Sequence, residues 1–376
     1  MMIKNKEQEG YDMKHPYDIA AYIWPAYTGT EPRAHLFWPE GMGEWQSVRS
    51  CKAKIPKDTW PRRPLWGYVD EADPRVMEME IDAAADYGVN VFIYDWYWFD
   101  QRPFLNQCLE RGYLKARNND RVRFMLMWSN HDACHVWDKR LSESDMWLDP
   151  LWLGAVDREA FSHVCDMIIE KYFRHPSYYR IDEKPVLMVY DPENLVKGLG
   201  GVSNTAVCLT EFREKCVRAG LNGLHLQFKL ARTDGVLTPG IEAAKRMGFD
   251  SITSYQFGEL TDIDREYREI CSEMPALWEE WNARFGLPYF PQVSVGWDNS
   301  PRFATGRRFG VTRNNTPQLF ETALRMAKQF IDAHPLPAKL ITVNSWNEWT
   351  EGSYLQPDDR TGYQYLEAVQ RVFLKG

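Results

Sequence analysis

Short apolar runs recur along the chain at 19–24, 89–95, 123–128, 185–190, 224–228, 251–255, 290–295 and 340–346. Each is roughly four to eight residues long and rich in Val, Ile, Leu, Phe or Tyr, as expected of parallel strands buried on both faces. Between most of them lie stretches with apolar residues at helical spacing, at 74–87, 158–173, 209–219, 242–247, 263–285, 317–333 and 363–373. In the first, Val76, Met77, Met79, Ile81, Ala84 and Ala85 recur at helical spacing, and Gly88 is the stop signal. Eight strands alternating with helices predict a parallel sheet, and eight close naturally into an α/β fold of the (β/α)8 TIM-barrel type. An open doubly wound sheet is the alternative. No GxGxxG follows the first strand, so dinucleotide binding gains no support.

The segment 25–73, between the first strand and its helix, is long and full of Trp and Pro. A loop of that length in a compact domain is usually functional. No Ser- or Gly-rich linker divides the chain, so residues 1–376 read as a single catalytic domain, with 1–16 a loose N-terminal extension. The stretch from Met1 to Tyr11 is polar and lacks the apolar core of a signal peptide. No segment approaches the roughly 18 apolar residues of a membrane span. The chain therefore reads as cytoplasmic, or as periplasmic or secreted if a signal peptide has been removed.

Charge narrows the partners. Asp and Glu number 53 against 45 Lys and Arg, a net charge of −8, whereas nucleic-acid binding needs a surplus of cations on one face. A neutral substrate suits this balance better than a polyanion. Seven cysteines, Cys51, Cys108, Cys134, Cys165, Cys208, Cys216 and Cys271, are scattered without a CxxC. They predict free thiols rather than a disulfide framework or a zinc site. His131 and His135 lie four apart beside Asp132, but two ligands without a convergent third do not make a metal site. No metal and no cofactor is expected.

Aromatics make up 14% of the chain, with 16 Trp, 19 Tyr and 18 Phe. Ordinary core packing explains many of them. Trp is an awkward core filler, however, because a buried indole N–H needs a partner. Runs such as Tyr94-Asp95-Trp96-Tyr97-Trp98-Phe99 and Trp346-Asn347-Glu348-Trp349 interleave aromatics with polar groups. That mixture matches a sugar ring, which has apolar faces and a rim of hydroxyls.

In such barrels the chemistry sits on loops at the carboxyl ends of the strands. Those positions carry Trp24 and Tyr27; Asp95, Tyr97 and Trp98; Trp128, Asn130 and His131; Tyr190 and Asp191; Gln227 and Lys229; Tyr255 and Gln256; and Trp297, Asp298 and Asn299. The last strand is followed by Glu348 and Glu351. Three residues apart on a helical turn, two side chains share one face about 5–6 Å apart at Cβ. Glycoside cleavage needs two carboxyl groups, one donating a proton to the leaving oxygen and one supporting attack at the anomeric carbon. A carboxyl beside another carboxyl and under Trp346 and Trp349 should have the raised pKa of a general acid. The plainer alternative is a helix cap or a solvated pair. Asp95 and Asp191 are candidates for substrate hydroxyls or for fixing loops, Lys229 for orienting a substrate, and Asp298 for a substrate contact or a turn. No GxSxG elbow and no P-loop lysine is present.

Asn347-Glu348-Trp349-Thr350-Glu351-Gly352 resembles the Asn-Glu-Trp-x-Glu-Gly signature of glycoside hydrolase family 99, the endo-α-mannosidases and endo-α-mannanases. More of the chain resembles the related WbsX-like group, described as glycosyltransferases of polysaccharide biosynthesis. The matches run in order through Gly43-Glu44-Trp45, 94–99, Trp128-Ser129-Asn130, 180–186, Trp297-Asp298-Asn299 and the Glu348 motif. The resemblance implies a (β/α)8 barrel and retaining hydrolysis of a manno-configured glycoside. It implies that Glu348 deprotonates the sugar 2-hydroxyl, which attacks the anomeric carbon, and that Glu351 acts as general acid and then base. It also adds Glu44, Trp45, Asn347 and Trp349 to the substrate-binding candidates. Two departures bear on the sugar. Family 99 usually has His where Thr350 stands, and an Ile-Glu-Pro-like run where this chain has Leu355-Gln356-Pro357. Mannose and rhamnose, which share the axial 2-hydroxyl, are both open.

The expected partner is thus an oligo- or polysaccharide. A glycosyltransferase is the first alternative, but the single Asp-x-Asp, Asp262-Ile263-Asp264, sits at a predicted helix start where capping explains it. A non-catalytic glycan-binding protein is the second, and it would be expected to lose one of the two carboxylates.

Overall fold

In the computed structural model, residues 16–54, 60–233, 236–305 and 310–375 are described. The last residue of the expected N-terminal extension is among them, and the rest of 1–16 lies outside them. The eight apolar runs form eight parallel strands: β1 (Asp18–Ile23), β2 (Val91–Phe99), β3 (Arg123–Trp128), β4 (Lys184–Val189), β5 (His225–Lys229), β6 (Ser251–Thr253), β7 (Gln292–Ser294) and β8 (Leu340–Asn344). Each pairs with its neighbour in sequence, and β1 pairs with both β2 (Ala20 opposite Val91) and β8 (Asp18 opposite Leu340). Between β6 and β7 a parallel bridge joins Ile252 to Tyr289, with Ile252 N–H donating to Pro288 and Phe290 N–H to Ile252. The ring therefore closes, as the α/β barrel expectation required.

Helices lie outside the ring: α1 (Pro74–Tyr87), α2 (Arg158–Ile168), α3 (Val202–Arg218), α4 (Ile241–Met247), α5 (Tyr267–Phe285), α6 (Pro317–Ala333) and α7 (Gln364–Phe373). Their ends follow local chemistry. Asp73 accepts a hydrogen bond from Arg75 N–H ahead of Pro74, and Gly88 closes α1 at φ 94°. The helix expected from residue 263 begins only at Tyr267, because Glu266 is extended and bridged to Arg313. An additional short helix, Pro192–Leu199, follows β4 and is N-capped by Asp191. The pattern did not signal it because it is only eight residues long.

Two apolar clusters result. One fills the space between strands and helices. The other lies over the mouth of the barrel and joins Trp24, Tyr27, Phe37, Trp38 and Trp45 of the first long loop to Tyr97, Phe99, Trp137, Trp349 and Tyr354. Residues 25–54 and 60–73 thus form a packed cap carrying a 3-10 turn, Pro32–Leu36, and a short helix, Trp45–Arg49. Within the ring the core is polar and internally bonded. Tyr22 donates to Ser254 O at 2.9 Å, Thr253 and Thr342 meet at 2.9 Å, and Ser294 donates to Gln256 at 2.9 Å. These contacts fill the barrel interior directly beneath the mouth.

Candidate active site

The loop after β8 carries the paired carboxyls in a form that spacing alone does not predict. Asn347–Glu348 pairs antiparallel with Ser353–Tyr354, and the 3-10 turn Trp349–Glu351 joins them. Gly352 ends the turn at φ 60°, where a Cβ would lie 3.0–3.1 Å from Asp298. Only glycine meets both demands. In this short hairpin Asn347 and Glu348 point to opposite sides. Asn347 turns back to bond Trp24 and Glu71, while Glu348 faces the mouth.

Arg302 organises the site. Its guanidinium lies 2.5 Å from Glu351, 3.4 Å from Glu348 and 3.3 Å from Glu44, and over the Trp24 ring at 5.8 Å. Arg302 follows β7 in a 3-10 turn pinned by Asp298, which accepts from Ser300, and by Lys54, which donates to Ser300 O and Phe303 O. Glu44 also accepts the indole N–H of Trp24. A planar guanidinium with five donors can span three carboxylates, which a lysine ammonium cannot.

On the opposite wall the Tyr255 hydroxyl lies 3.0 Å from Glu348 and 3.2 Å from Asp95. One hydroxyl has one proton to donate. With both carboxyls at bonding distance, the hydroxyl donates to one and is free to accept a proton from the other. Beyond it, Lys229 pairs with Glu259 at 2.7 Å and sits 3.7 Å over the Tyr190 ring.

Three buried carboxyls, Glu44, Glu348 and Glu351, thus surround one guanidinium, and a fourth, Asp95, joins them through Tyr255. Burial pushes the pKa of each above its ordinary value. For Glu348 the neighbouring Glu351 adds to the rise, and Arg302 opposes it in both. Glu348 is held well above the usual carboxylate range and Glu351 less so, consistent with Arg302 lying closer to Glu351. Arg302, lying closer to Glu351, favours the charged form of Glu351 more than that of Glu348. Both Glu348 oxygens are bonded, to Tyr255 and Arg302. Glu351 Oε2, Asp95 Oδ1 and Glu259 Oε2 are buried without a hydrogen-bond partner among the described residues.

The structure brings some of the expected residues to this site and turns others away. Glu348, Glu351, Glu44, Asp95, Tyr255 and Trp24 converge on Arg302 or on one another. Tyr97 lines the same wall, edge-on to Trp24 at 5.8 Å and to His131 at 5.5 Å. Burial lowers the pKa of His131, which keeps the ring neutral at pH 7, and it packs on Tyr190 at 5.2 Å. Trp45 and Trp349 are wholly buried in the cap, Trp45 donating to Val69 O and Trp349 to Gln356. Asn130 exchanges two hydrogen bonds with the Asp191 backbone and so ties the loops after β3 and β4, while Asp191 caps the next helix. Asp298 shapes its turn, and Trp297 beside it is partly exposed.

Trp98 and Trp128 are not at the mouth. Strand alternation sends Asp95 and Tyr97 into the barrel and Trp96 and Trp98 outward. Trp98 lies against His163 of α2 at 5.7 Å, and Trp128 stacks on Phe161 of α2 at 5.9 Å. Both indole N–H groups are buried without a partner among the described residues, so the expectation that buried indoles seek polar surroundings does not hold for them. Arg302, Glu259 and the Glu71 and Glu80 carboxyls behind the motif were not singled out from the sequence. Arg302 was visible only as the end of the run Gly296-Trp297-Asp298-Asn299-Ser300-Pro301-Arg302.

All seven cysteines are free. Among the described residues no group of three or more His, Cys, Asp or Glu is arranged to hold a metal, and no helix is long and apolar enough to cross a membrane.

The glycoside hydrolase family 99 endo-α-mannosidase of Bacteroides thetaiotaomicron superposes with a TM-score of 0.61 at 14% identity, over 95% of this chain and 96% of that one. A structure described as a glycoside hydrolase-like protein superposes with a TM-score of 0.63 at 16% identity, over 96% and 95%. At such identities the likeness establishes the barrel fold that this chain shares with glycoside hydrolases. In sequence, the protein WxcX of Xanthomonas campestris pv. campestris is 26% identical over 96% of this chain, which spans about half (50%) of that relative's length. The model of the family described as Glycosyltransferase WbsX matches residues 19–369, nearly the whole chain, and the chain belongs to that family.

Proposed function

We propose that the chain is a retaining glycoside hydrolase acting on a neutral, α-linked, manno-configured glycan of the mannose or rhamnose type. The observation that carries this reading is the pair Glu348 and Glu351 at the barrel mouth, braced by one arginine whose charge is already matched by carboxylates. Two carboxyls of different proton affinity are what glycosidic bond cleavage requires. Among the described residues, Arg302 and Lys229 are the cations paired with carboxylates at the mouth. Neither is free to receive a diphosphate, which disfavours a nucleotide-sugar transferase despite the family's description.

The mechanism follows from the geometry and the resemblance together. Glu348 takes the proton of the sugar 2-hydroxyl, whose oxygen attacks the anomeric carbon, while Glu351 protonates the leaving oxygen. Water then opens the resulting 1,2-anhydro sugar, with Glu351 accepting the water's proton and Glu348 returning one to O2. This requires the proton on Glu351 and the charge on Glu348. A glycosidic oxygen entering beside Glu351 displaces Arg302 toward Glu44 and Glu348, which favours the charge on Glu348 and the proton on Glu351. Asp95, with Oδ1 unengaged and Tyr255 beside it, accepts a sugar hydroxyl.

The test is sugar release from aryl α-mannoside, aryl α-rhamnoside and α-mannan by wild type, Glu348→Gln and Glu351→Gln. Wild type is expected to release sugar from at least one, and each variant to lose nearly all of that activity. A wild type inert on every glycoside that consumes a nucleoside-diphosphate sugar would overturn the hydrolase reading. A variant with full activity would overturn the assigned roles. A 2-deoxy substrate should not react.

A further inference from the structure

Directly behind the motif lie two more carboxyls with no direct path to a substrate. Glu71, at the end of the cap, and Glu80, in the middle of α1, both have no exposed surface. Three side chains of the motif loop, Trp346, Asn347 and Gln356, are bonded to them. Asn347 donates to Glu71 at 2.9 and 3.0 Å, and Trp346 donates its indole N–H to Glu80 at 2.7 Å. Gln356 donates to both, at 3.3 and 3.1 Å, and accepts the Trp349 indole N–H at 2.6 Å. Residues 346, 347, 349 and 356 are thus tied to one carboxyl pair, and Glu348 and Glu351 are carried between those ties.

The pair has no cation. Among the described residues no Lys, Arg or His bonds either carboxyl; Cys108 donates its S–H to Glu71 at 3.6 Å. Tyr94 of β2 and Tyr27 of the cap lie within the pair's electrostatic reach, with Tyr113 and Asp70 beyond them. The motif loop presents only amides and indoles, and no group of α7 is bonded to either carboxyl. Two full charges sharing one amide in a dry interior repel and lack solvation, so the pair retains a proton. Burial raises Glu80 to about 7, and burial with the Glu80 charge raises Glu71 further.

We infer that Glu71 and Glu80 are positioning residues, a buried carboxyl pair that fixes the loop 345–356, and with it Glu348 and Glu351, from behind the site. The inference rests on the hydrolase reading for its catalytic consequence, but not for the state of the pair. Gln356 suits the pair because its amide donates to two acceptors, whereas a carboxylate there would add a third charge. When the pair loses its proton, repulsion pushes Glu71 and Glu80 apart and the loop loses its register. Misplacement of about 1 Å can cost on the order of a hundredfold in rate.

The test combines spectroscopy and kinetics on the full chain. In protein labelled with 15N-tryptophan, the Trp346 indole N–H, assigned by its loss in Trp346→Phe, is followed from pH 5 to 9. It should titrate in wild type with a midpoint near the value of about 7 held by Glu80, and should not titrate in Glu80→Gln. The Trp349 indole should move with it through Gln356. A Trp346 resonance flat across that range in wild type overturns the retained proton, whether or not any glycoside is cleaved. In kinetics, Glu80→Ala should lower kcat about tenfold or more with KM within about twofold. Glu80→Gln, shaped like the protonated carboxyl, should recover the loss and flatten the alkaline fall of kcat. Equal kcat in wild type and Glu80→Ala overturns the positioning role. A wild type inactive on all glycosides would sink the hydrolase reading alone, since the indole titration still reports on the pair.

Discussion

At the scale of single residues, Arg302 and Glu80 make the sharpest demands. Arg302 spans Glu44, Glu348 and Glu351 from buried surroundings, a job that depends on guanidinium geometry as well as charge. Arg302→Lys should therefore fold and yet lose on the order of a hundredfold in kcat/KM, the scale of a lost preorganised donor. Unchanged kcat/KM in that variant would mean that a point charge suffices. Glu80 links site and stability. Its carboxyl is raised from 4.5 to about 7 on folding, so the folded state binds the proton more tightly than the unfolded chain. That contribution is fully present below pH 4.5 and is lost as pH rises through 7. Its full size is on the order of 3 kcal/mol. Tm should fall between pH 5 and 8 in wild type and fall less in Glu80→Gln. Equal slopes in the two proteins would contradict the buried proton.

At the scale of elements, alternation along β2 separates chemistry from packing. Asp95 and Tyr97 face the mouth, whereas Trp96 and Trp98 enter the layer under α2. Trp98→Ala and Trp128→Ala should cost about 3–5 kcal/mol by denaturant unfolding while leaving KM nearly unchanged. A large rise in KM with little loss of stability would place them with the substrate instead. The hairpin that carries the carboxyls depends on Gly352, whose φ of 60° and proximity to Asp298 leave no room for a side chain. Gly352→Ala should destabilise by on the order of 1–3 kcal/mol and lower kcat, because the strained turn is the one bearing Glu351. Alternation itself was legible in the sequence. Which of its two faces met the lumen was not, because a strand buried on both sides has no polar face to mark it.

At the scale of the molecule, a net charge of −8 and a mouth lined with carboxylates bias the protein against anions. A nucleoside-diphosphate sugar at millimolar concentration should leave Tm unchanged, whereas a neutral oligosaccharide bound at a hundred times its Kd should stabilise by about 2.7 kcal/mol. Thermal shift assays with both ligands measure this directly. Stabilisation by the nucleotide sugar alone would favour transfer over hydrolysis.

The sequence by itself determined the eight strands, most of their helices and the position of the Glu348 and Glu351 pair. Each of these is written in local periodicity or in a contiguous motif, and hydrophobic burial acts on such patterns directly. Tertiary structure alone decided what surrounds the pair. Arg302 reaches Glu44 across 258 positions, and Trp346 reaches Glu80 across 266. Contacts at such separation leave no periodic trace, because barrel closure brings their loops together. Whether Glu348 or Glu351 holds a proton was likewise beyond the motif. It depends on burial and on Arg302, which only the folded mouth assembles.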